Sequence, residues 1–319
     1  MKVFKPWVFQ GSKRKKNYFE GWYFKHVSED LKNVYSIIPG ISLSGDDSHS
    51  FVQVINGLSG ETEYFRYPLS EFNASDKTLS ISVGESNFTD EGISLNLKNK
   101  DSAIRGEISY DQLNYYPSRI LKPGIMGWYS FVPFMECKHG IVSTRHKTSG
   151  EIYAGDSKVD FNNGTGYIEK DWGSSFPESW LWLHCNTFNS SDASFMLSVA
   201  KIPWLGNYFI GFISYLTYED SLYNFSTWSG ASIEVLDYTD NILNVILVNK
   251  KHRLSIRALN NNPGDLKAPV RGSMSRTIKE TVDADIEISL SDSLGKQLFY
   301  DKGKRGGMEL IEKILTYFD

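Results

Sequence analysis

"EGWYFKHV", residues 20–27, aligns without a gap to "ESWLWLHC", residues 178–185, half a chain later. Three positions are identical in the two copies: Glu20 with Glu178, Trp22 with Trp180 and His26 with His184. A turn and then an apolar segment of strand length follow each copy. A repeat at this offset is typical of two similar domains in tandem. The sequence therefore predicts a first domain over residues 1–163 and a second over residues 164–319.

Composition and periodicity indicate β structure in both halves. Aromatic residues make up 14% of the chain, and short segments such as "KTLSISVG" (77–84) and "DADIEISL" (283–290) alternate apolar and polar residues as half-buried strands do. Helical spacing is convincing only near residues 308–318, where "GGMELI" (306–311) is also compatible with a last strand. We predict an all-β chain of two tandem lipocalin-like (calycin-type) antiparallel β-barrels with few short helices.

Bulk properties exclude several classes of function. The formal net charge of -4 gives no general reason to bind nucleic acid. The two cysteines, Cys137 and Cys185, have no C-x-x-C spacing, so free thiols are expected. The six histidines are dispersed and no nucleotide-binding motif occurs, so we expect neither a metal nor a cofactor.

The N-terminus has charges where a secretory signal needs an apolar core, and the most apolar run, residues 204–218, is too short to span a bilayer. We therefore expect a cytoplasmic protein. The basic cluster "KRKK" (13–16) lies close to several aromatic residues and is compatible with peripheral contact to an anionic membrane. A solvated loop before the first strand is the alternative. The sequence has no signal for an oligomeric state.

The densest group of reactive side chains is "GYIEKDWGSSFPESWLWLHCN", residues 166–186. Carboxylates lie beside tryptophans here and in two other places: Glu169 and Asp171 near Trp172, Glu20 near Trp22, and Glu136 near Trp128. A carboxyl group in apolar surroundings retains its proton closer to neutral pH and can act as an acid. Ion pairing to Lys170, Lys138 or Arg145 is the structural alternative. Strand alternation also places Trp180, Trp182 and His184 on one face.

Four blocks in the chain together resemble the tocopherol cyclase family. They are "YFEGWYFK" (18–25), "GIMGWYSFVPFMECKHGIVS" (124–143), "GYIEKDWGSSFPESWLWLHCN" (166–186) and "LKAP" (266–269). The third block usually contains E-K-N-W-G and W-x-W-x-Q-C-N in that family, so Asp171 and His184 are departures from the pattern. A role that needs an amide is not carried over to either position.

The resemblance implies an enzyme that closes a chromanol ring by adding a phenol hydroxyl to a prenyl alkene, with no redox cofactor. The substrate would be a hydrophobic small molecule, either a prenylated aromatic or another isoprenoid. The predicted catalytic residues are Glu169 as proton donor, Asp171 or Glu20 as the supporting carboxylate, and His184 or a second carboxylate as the proton acceptor. The predicted substrate-binding residues are Trp22, Trp128, Trp172, Trp180, Trp182, Lys170 and Asn186.

Two other functions fit the same residues. An isoprenoid or lipid hydratase or isomerase would use the same acid with water as the nucleophile. A non-catalytic carrier would need the apolar cavity but no acid. Product analysis separates the first alternative from a cyclase, and recovery of unaltered ligand identifies the second.

Overall fold

The computed structural model describes residues 1–133, 135–204 and 206–318, and the chain divides into two compact units. The first unit comprises Met1–Phe176 and Asp265–Thr277, and the second comprises Pro177–Gly264 and Ile278–Asp319. The first unit continues to residue 176, whereas the sequence analysis predicted a boundary after residue 163. The difference has a structural cause. The strand over residues 164–173 is hydrogen-bonded between two strands of the first unit and is part of that unit's sheet.

Almost all regular structure in the described ranges is β-strand. The strands of the first sheet are β1 (Tyr18–Val27), β2 (Val34–Leu43), β3 (His49–Asn56), β4 (Thr62–Pro68), β5 (Phe72–Ala74), β6 (Ser80–Val83), β7 (Ser86–Thr89), β8 (Gly92–Lys98), β9 (Ala103–Tyr110), β10 (Cys137–Ala154), β11 (Ser157–Asp160) and β12 (Gly164–Gly173). The strands of the second sheet are β13 (Trp180–Cys185), β14 (Ser194–Trp204), β15 (Asn207–Tyr218), β16 (Ser221–Ser226), β17 (Ser232–Thr239), β18 (Ile242–Val248), β19 (His252–Leu259), β20 (Gly264–Val270), β21 (Ser273–Asp292) and β22 (Gln297–Leu310).

Short 3₁₀ helices are the remaining elements: Lys2–Phe4, Gly45–Asp47, Leu69–Glu71, Gly127–Phe131, Thr227–Ser229 and Glu312–Tyr317. The C-terminal periodicity thus covers the end of β22 and a 3₁₀ helix. Within the described ranges, no helix has the length and apolar character needed to cross a membrane.

The first sheet is an antiparallel meander that curls back on itself. Its order is β4-β3-β2-β1-β12-β10-β9-β8-β7-β6-β5, with β11 paired to β10. Its first strand in the chain, β1, therefore pairs with its last, β12. The two strands at the ends of this path, β4 and β5, are joined only by the turn Leu69–Glu71, which brings the edges of the sheet together.

The second sheet repeats this plan in the order β16-β15-β14-β13-β22-β21-β19-β18-β17, with β20 paired to β21. Again the first strand, β13, pairs with the last, β22, and the two edge strands are joined by a short turn, Thr227–Ser229. The first copy of the sequence repeat lies in β1, and the second lies at β13; each is the first strand of its sheet in chain order. The predicted all-β architecture of two antiparallel, lipocalin-like barrels with few short helices is confirmed.

Each unit has its own apolar core on one face of its strands. In the first unit, Trp22 and Phe24 of β1 and Ile168 of β12 belong to the core cluster. In the second, Leu181 and Leu183 of β13 belong to the core. Full burial of one such side chain stabilises the fold by about 1.5–3 kcal/mol. Because side chains alternate along a strand, the residues between these core positions point to the opposite face.

Candidate active site

The face of β12 opposite the core has an unusual concentration of titratable side chains. Tyr167, Glu169 and Asp171 alternate with the core-facing residues of this strand, so all three share one face. On the neighbouring strand β10, His139 lies directly opposite Asp171 in the ladder. Residues that are directly opposite in an antiparallel pair have Cβ atoms about 4.5–5.5 Å apart. Four polar side chains therefore meet on this face.

These four residues, which we call the acid cluster, form a continuous chain of contacts. The Tyr167 hydroxyl donates to Oε2 of Glu169 at 2.6 Å. The same oxygen lies 3.4 Å from Nε2 of His139, whose Nδ1 is 2.9 Å from Oδ1 of Asp171. The Glu169 residue is only 4% exposed, which shields these contacts from bulk water. The His139 imidazole thus lies between the two carboxylates, with Nδ1 at hydrogen-bond distance from Asp171 and Nε2 in a longer ionic contact with Glu169.

The charge state of His139 is set by its two carboxylate neighbours. Burial alone would lower the pKa of this imidazole, but the negative charge of Asp171, followed by that of Glu169, outweighs burial and raises the pKa to about 10. At neutral pH the cluster therefore includes an imidazolium that stores one proton next to Glu169. Asp171, which departs from the usual family pattern, is the larger of the two raising influences.

The core-facing side of the same strands has a second buried carboxylate, Glu20, with a different environment. Its carboxylate accepts hydrogen bonds from the main-chain amides of Gln10 at 2.8 Å and Gly11 at 2.9 Å. It also accepts a hydrogen bond from the Tyr18 hydroxyl and forms an ion pair with Lys170. Glu20 thus holds the N-terminal segment against the sheet.

Lys170 completes this arrangement, and we call Glu20 and Lys170 the ion-pair clamp. Besides its ion pair with Glu20, the ammonium donates to the carbonyls of Pro6 at 2.9 Å and Val8 at 2.5 Å, so its three donors are all used. Burial lowers the pKa of Lys170 to about 8, against the opposing effect of the Glu20 carboxylate.

Two tryptophans predicted to line the substrate cavity also surround the clamp. The Lys170 ammonium lies 4.4 Å from the centroid of the Trp22 ring and 5.0 Å from that of Trp172. A side chain at Gly140 would collide with Pro6, so glycine is needed where the N-terminal segment crosses β10. The structure separates Glu20, Lys170, Trp22 and Trp172 from Glu169, because neighbouring residues in a strand face opposite sides.

The remaining predicted residues, apart from Trp128, lie in the second unit, on or next to β13. Trp180, Trp182 and His184 share one face of this strand, as alternation predicted, and all three are buried. The Trp180 indole donates to Oε2 of Glu309 at 2.6 Å. The rings of Trp182 and His184 are stacked with centroids 6.2 Å apart, and Asn186 is buried directly beyond the strand. The predicted role of His184 as a proton acceptor stays a prediction.

Trp128 lies in the first unit, in the 3₁₀ helix Gly127–Phe131, and is 50% exposed. Its ring contacts Tyr129 edge-on at 4.3 Å. It is therefore at the surface of the segment between β9 and β10, and its role in substrate binding stays a prediction. The same segment approaches the acid cluster through Met126, whose sulfur lies 3.2 Å from the main-chain nitrogen of His139.

The acid cluster is also the place in the described residues where a cation fits best. One ligand atom each from His139, Glu169 and Asp171 lie within 4.8 Å of one another. Metal binding would require the neutral imidazole, so a cation must displace a proton that the two carboxylates hold tightly.

Sequence reasoning did not single out two members of the acid cluster, His139 and Tyr167. His139 lies 32 residues from Asp171 in the chain, and only the pairing of β10 with β12 brings them together. Tyr167 offered a local signal, because it lies two residues before Glu169 and must share its face in any strand.

Comparison with known proteins places this chain in a family. The model of the family described as tocopherol cyclase-like matches residues 113–310, more than half of the chain. The chain belongs to this family. The matched region includes all four members of the acid cluster and excludes Glu20. Members of the family are enzymes, and the resemblance inferred from the four sequence blocks is confirmed.

Two plant relatives match the chain. It is 28% identical over 171 residues to a protein named "Probable tocopherol cyclase, chloroplastic" from Oryza sativa subsp. japonica, and 26% identical over 170 residues to "Tocopherol cyclase, chloroplastic" from Zea mays. Each match covers 51% of this chain and 36% of the relative, so the chain matches little more than a third of either plant protein.

Among solved structures, the crystal structure of CghA covers 92% of this chain and 88% of its own, with a TM-score of 0.57 at 8% identity. At that identity the likeness concerns the fold alone. It shows that both barrels of the chain, and not only the family-matched region, have a counterpart in a known architecture.

Proposed function

We propose that this chain is a tocopherol cyclase-like enzyme that adds an O–H group across an isoprenoid alkene by general acid catalysis. The nucleophile would be the phenol of the same prenylated hydroquinone, and the product a chromanol. The acid cluster supports this proposal most strongly, because it holds a buried carboxyl group between a phenolic hydroxyl and an imidazolium. Membership of the tocopherol cyclase-like family supports it independently.

The reaction needs one proton donor and one acceptor, and Glu169 can be both in turn. Glu169 relays the proton stored on His139 to the less substituted alkene carbon, so an N–H bond of the imidazolium breaks, a C–H bond forms, the π bond breaks and a tertiary cation remains. The phenol oxygen then bonds to the cation and its proton returns to the carboxylate. Atoms and electrons balance as an isomerisation without an oxidant. General acid catalysis of this kind contributes about 10²–10⁴-fold in rate.

The other members of the cluster have supporting roles in this proposal. In this proposal His139 stores the proton at neutral pH and passes it to the alkene through Glu169, while Asp171 keeps that imidazolium charged. Tyr23 lies on β1 directly opposite Glu169 in the ladder, so in this proposal its ring, with that of Tyr167, would stabilise the cation. A desolvated cation over an aromatic ring gains about 2 kcal/mol or more.

The test is product analysis after incubation with a prenylated hydroquinone in isotopically labelled water. A product of unchanged elemental composition with a closed ring supports the cyclase. A product that has gained one labelled water identifies a hydratase on the same fold. Unaltered ligand that is recovered tightly bound identifies a carrier and overturns the enzymatic proposal.

A further inference from the structure

A tight turn in the first unit displays two large aliphatic side chains to solvent. The main-chain nitrogens of Arg119 and Lys122 donate to each other's carbonyls at 3.0 and 2.9 Å, which closes a two-residue hairpin. Ile120 and Leu121 form its tip, and each is 79% exposed. Single exposed apolar residues are ordinary on protein surfaces, but an adjacent aliphatic pair at a turn, where polar residues and glycine dominate, is not.

The same segment exposes two large aromatic side chains. Trp128 and Phe131, at either end of one turn of 3₁₀ helix, are each 50% exposed. The Phe131 ring contacts Phe4 edge-on with centroids 6.3 Å apart, and Trp7 contacts Tyr115 at 5.1 Å. The N-terminal segment and the segment that carries the hairpin therefore belong to one surface of the first unit.

The two segments that form this surface are rich in basic residues, although the whole chain is acidic and Asp90 lies beside Tyr115. Residues 1–19 include six lysines and arginines and no acidic residue, and residues 112–135 include Arg119 and Lys122 and no acidic residue. The pKa of Lys138 is lowered by burial and then by the charge of Lys15, so the basic N-terminal cluster lies close to the start of β10. A positive surface around an apolar tip is complementary to an anionic, partly apolar partner.

We propose that this surface docks the protein onto an anionic lipid membrane. The docking surface consists of an apolar part, Ile120, Leu121, Trp128 and Phe131, and a basic part, Lys13, Arg14, Lys16, Arg119 and Lys122. The hairpin tip enters the boundary between headgroups and acyl chains, while the half-exposed tryptophan lies at the headgroup level, where this residue is enriched. The basic part binds anionic headgroups with about 1 kcal/mol per residue.

Two features favour a membrane over other polyanions. The tip is aliphatic, whereas binding of single-stranded nucleic acid uses aromatic stacking platforms within a basic groove. The segment also reaches the acid cluster through the contact of Met126 with His139. If the proposed function is correct, the surface would place the acid cluster next to the phase in which prenylated substrates dissolve. The docking itself does not depend on that function.

The test is co-sedimentation with two kinds of vesicle, phosphatidylcholine alone and phosphatidylcholine mixed with phosphatidylglycerol. We expect binding to the mixed vesicles that weakens as salt is raised, because exposed charges are screened. I120S/L121S should weaken binding at least about 10-fold, since two aliphatic side chains no longer enter the lipid. K13Q/R14Q should weaken it roughly 30-fold, from the loss of about 1 kcal/mol at each position.

Matched controls are available in the second unit. Leu294 is 92% exposed, so L294S removes an equally accessible aliphatic side chain, and K250Q/K251Q removes two exposed charges. Both variants should bind as the unmodified protein does. Thermal melts of all variants show whether the fold is retained.

The proposal is overturned if the unmodified protein does not co-sediment with the mixed vesicles. It is also overturned if I120S/L121S binds these vesicles as well as the control variants do. Self-association that I120S/L121S abolishes, without vesicle binding, would assign the surface to a second copy of the chain instead. Turnover of detergent-dispersed substrate is measured in parallel. I120S/L121S should retain it, so that failure of docking and failure of the enzymatic proposal are distinguished.

Discussion

Glu20 and Glu169 are both buried carboxylates in the first unit, on opposite faces of the same pair of strands, yet their partners differ in kind. Glu20 is bound by two main-chain amides, a tyrosine and a lysine that itself anchors two carbonyls. Glu169 contacts a phenol and an imidazolium, groups that exchange protons. Burial and charge alone therefore do not identify a catalytic carboxylate. What sets Glu20 apart is that main-chain amides of the N-terminal segment bind its carboxylate, which gives this residue a structural role.

The largest expected effect is on turnover in Glu169→Gln. The amide keeps the shape of the side chain and can still accept from Tyr167, but it cannot deliver a proton, so we expect a loss of about 10²–10⁴-fold. The melting temperature should stay close to that of the unmodified protein. Glu136→Gln, which changes an exposed carboxylate of the same unit, is the control and should retain full activity. Equal activity in both variants would remove Glu169 from the mechanism.

Disruption of the ion-pair clamp should lower the stability of the fold and not act through the acid cluster. Lys170→Met removes the cation and leaves Glu20 charged and buried, which is expected to lower the free energy of unfolding by about 3–5 kcal/mol. Urea denaturation measures this loss. The double variant Glu20→Gln/Lys170→Met should recover part of it, because no uncompensated charge remains. A stable Lys170→Met protein that has lost turnover would reverse the roles we assign to the two faces.

A smaller effect is expected on pH dependence in Asp171→Asn. The pKa of His139 is raised to about 10, so the protonated imidazole persists to that pH and the rate should fall only as pH rises through it. Removal of the Asp171 charge lowers this pKa, which moves the alkaline limb of the rate profile toward neutral pH. Profiles of kcat against pH for both proteins test this. Superimposable alkaline limbs would show that His139 does not supply the proton.

The smallest effect is expected from Tyr167→Phe. Loss of one hydrogen bond to Glu169 should cost about 0.5–1.5 kcal/mol, which corresponds to a rate change of a few-fold. Tyr153 donates to Glu151 with the same two-residue spacing at a more exposed position, so Tyr153→Phe is the matched control. A loss as large as that of Glu169→Gln would make Tyr167 the proton donor instead.

The sequence was sufficient for the architecture because alternation and repeats are local signals. The two aligned segments do lie at the first strand of each sheet, β1 and β13. Their environments nevertheless differ: Glu20 is fully buried, whereas the Glu178 side chain is 51% exposed and paired with Lys201. A local pattern fixes which residues share a face, but not which face lies against the core: Trp22 belongs to the core cluster of the first unit, whereas Leu181 and Leu183, on the face opposite Trp180, belong to that of the second.

The site was only partly predictable for the same reason. Glu169 and Asp171 were found because they stand in an unusual segment, and alternation correctly grouped Trp180 with Trp182 and His184. Trp172 and Lys170 are close to Glu169 in sequence but lie on the opposite face of β12, since side chains alternate along a strand, and their substrate-binding roles stay predictions. His139 was missed because it joins the cluster only through the register of β10 on β12.

The central claim is that Glu169 lies beside a stored proton, and this can be tested without knowledge of the substrate. Nitrogen NMR of labelled histidine follows the protonation of His139 directly, with His139→Gln used to assign the signal. We expect an imidazolium at pH 7.5 that titrates near pH 10 in the unmodified protein. In Glu169→Gln and Asp171→Asn the same group should titrate at a lower pH. A neutral imidazole at pH 7.5, with an ordinary pKa near 6.5, would contradict it.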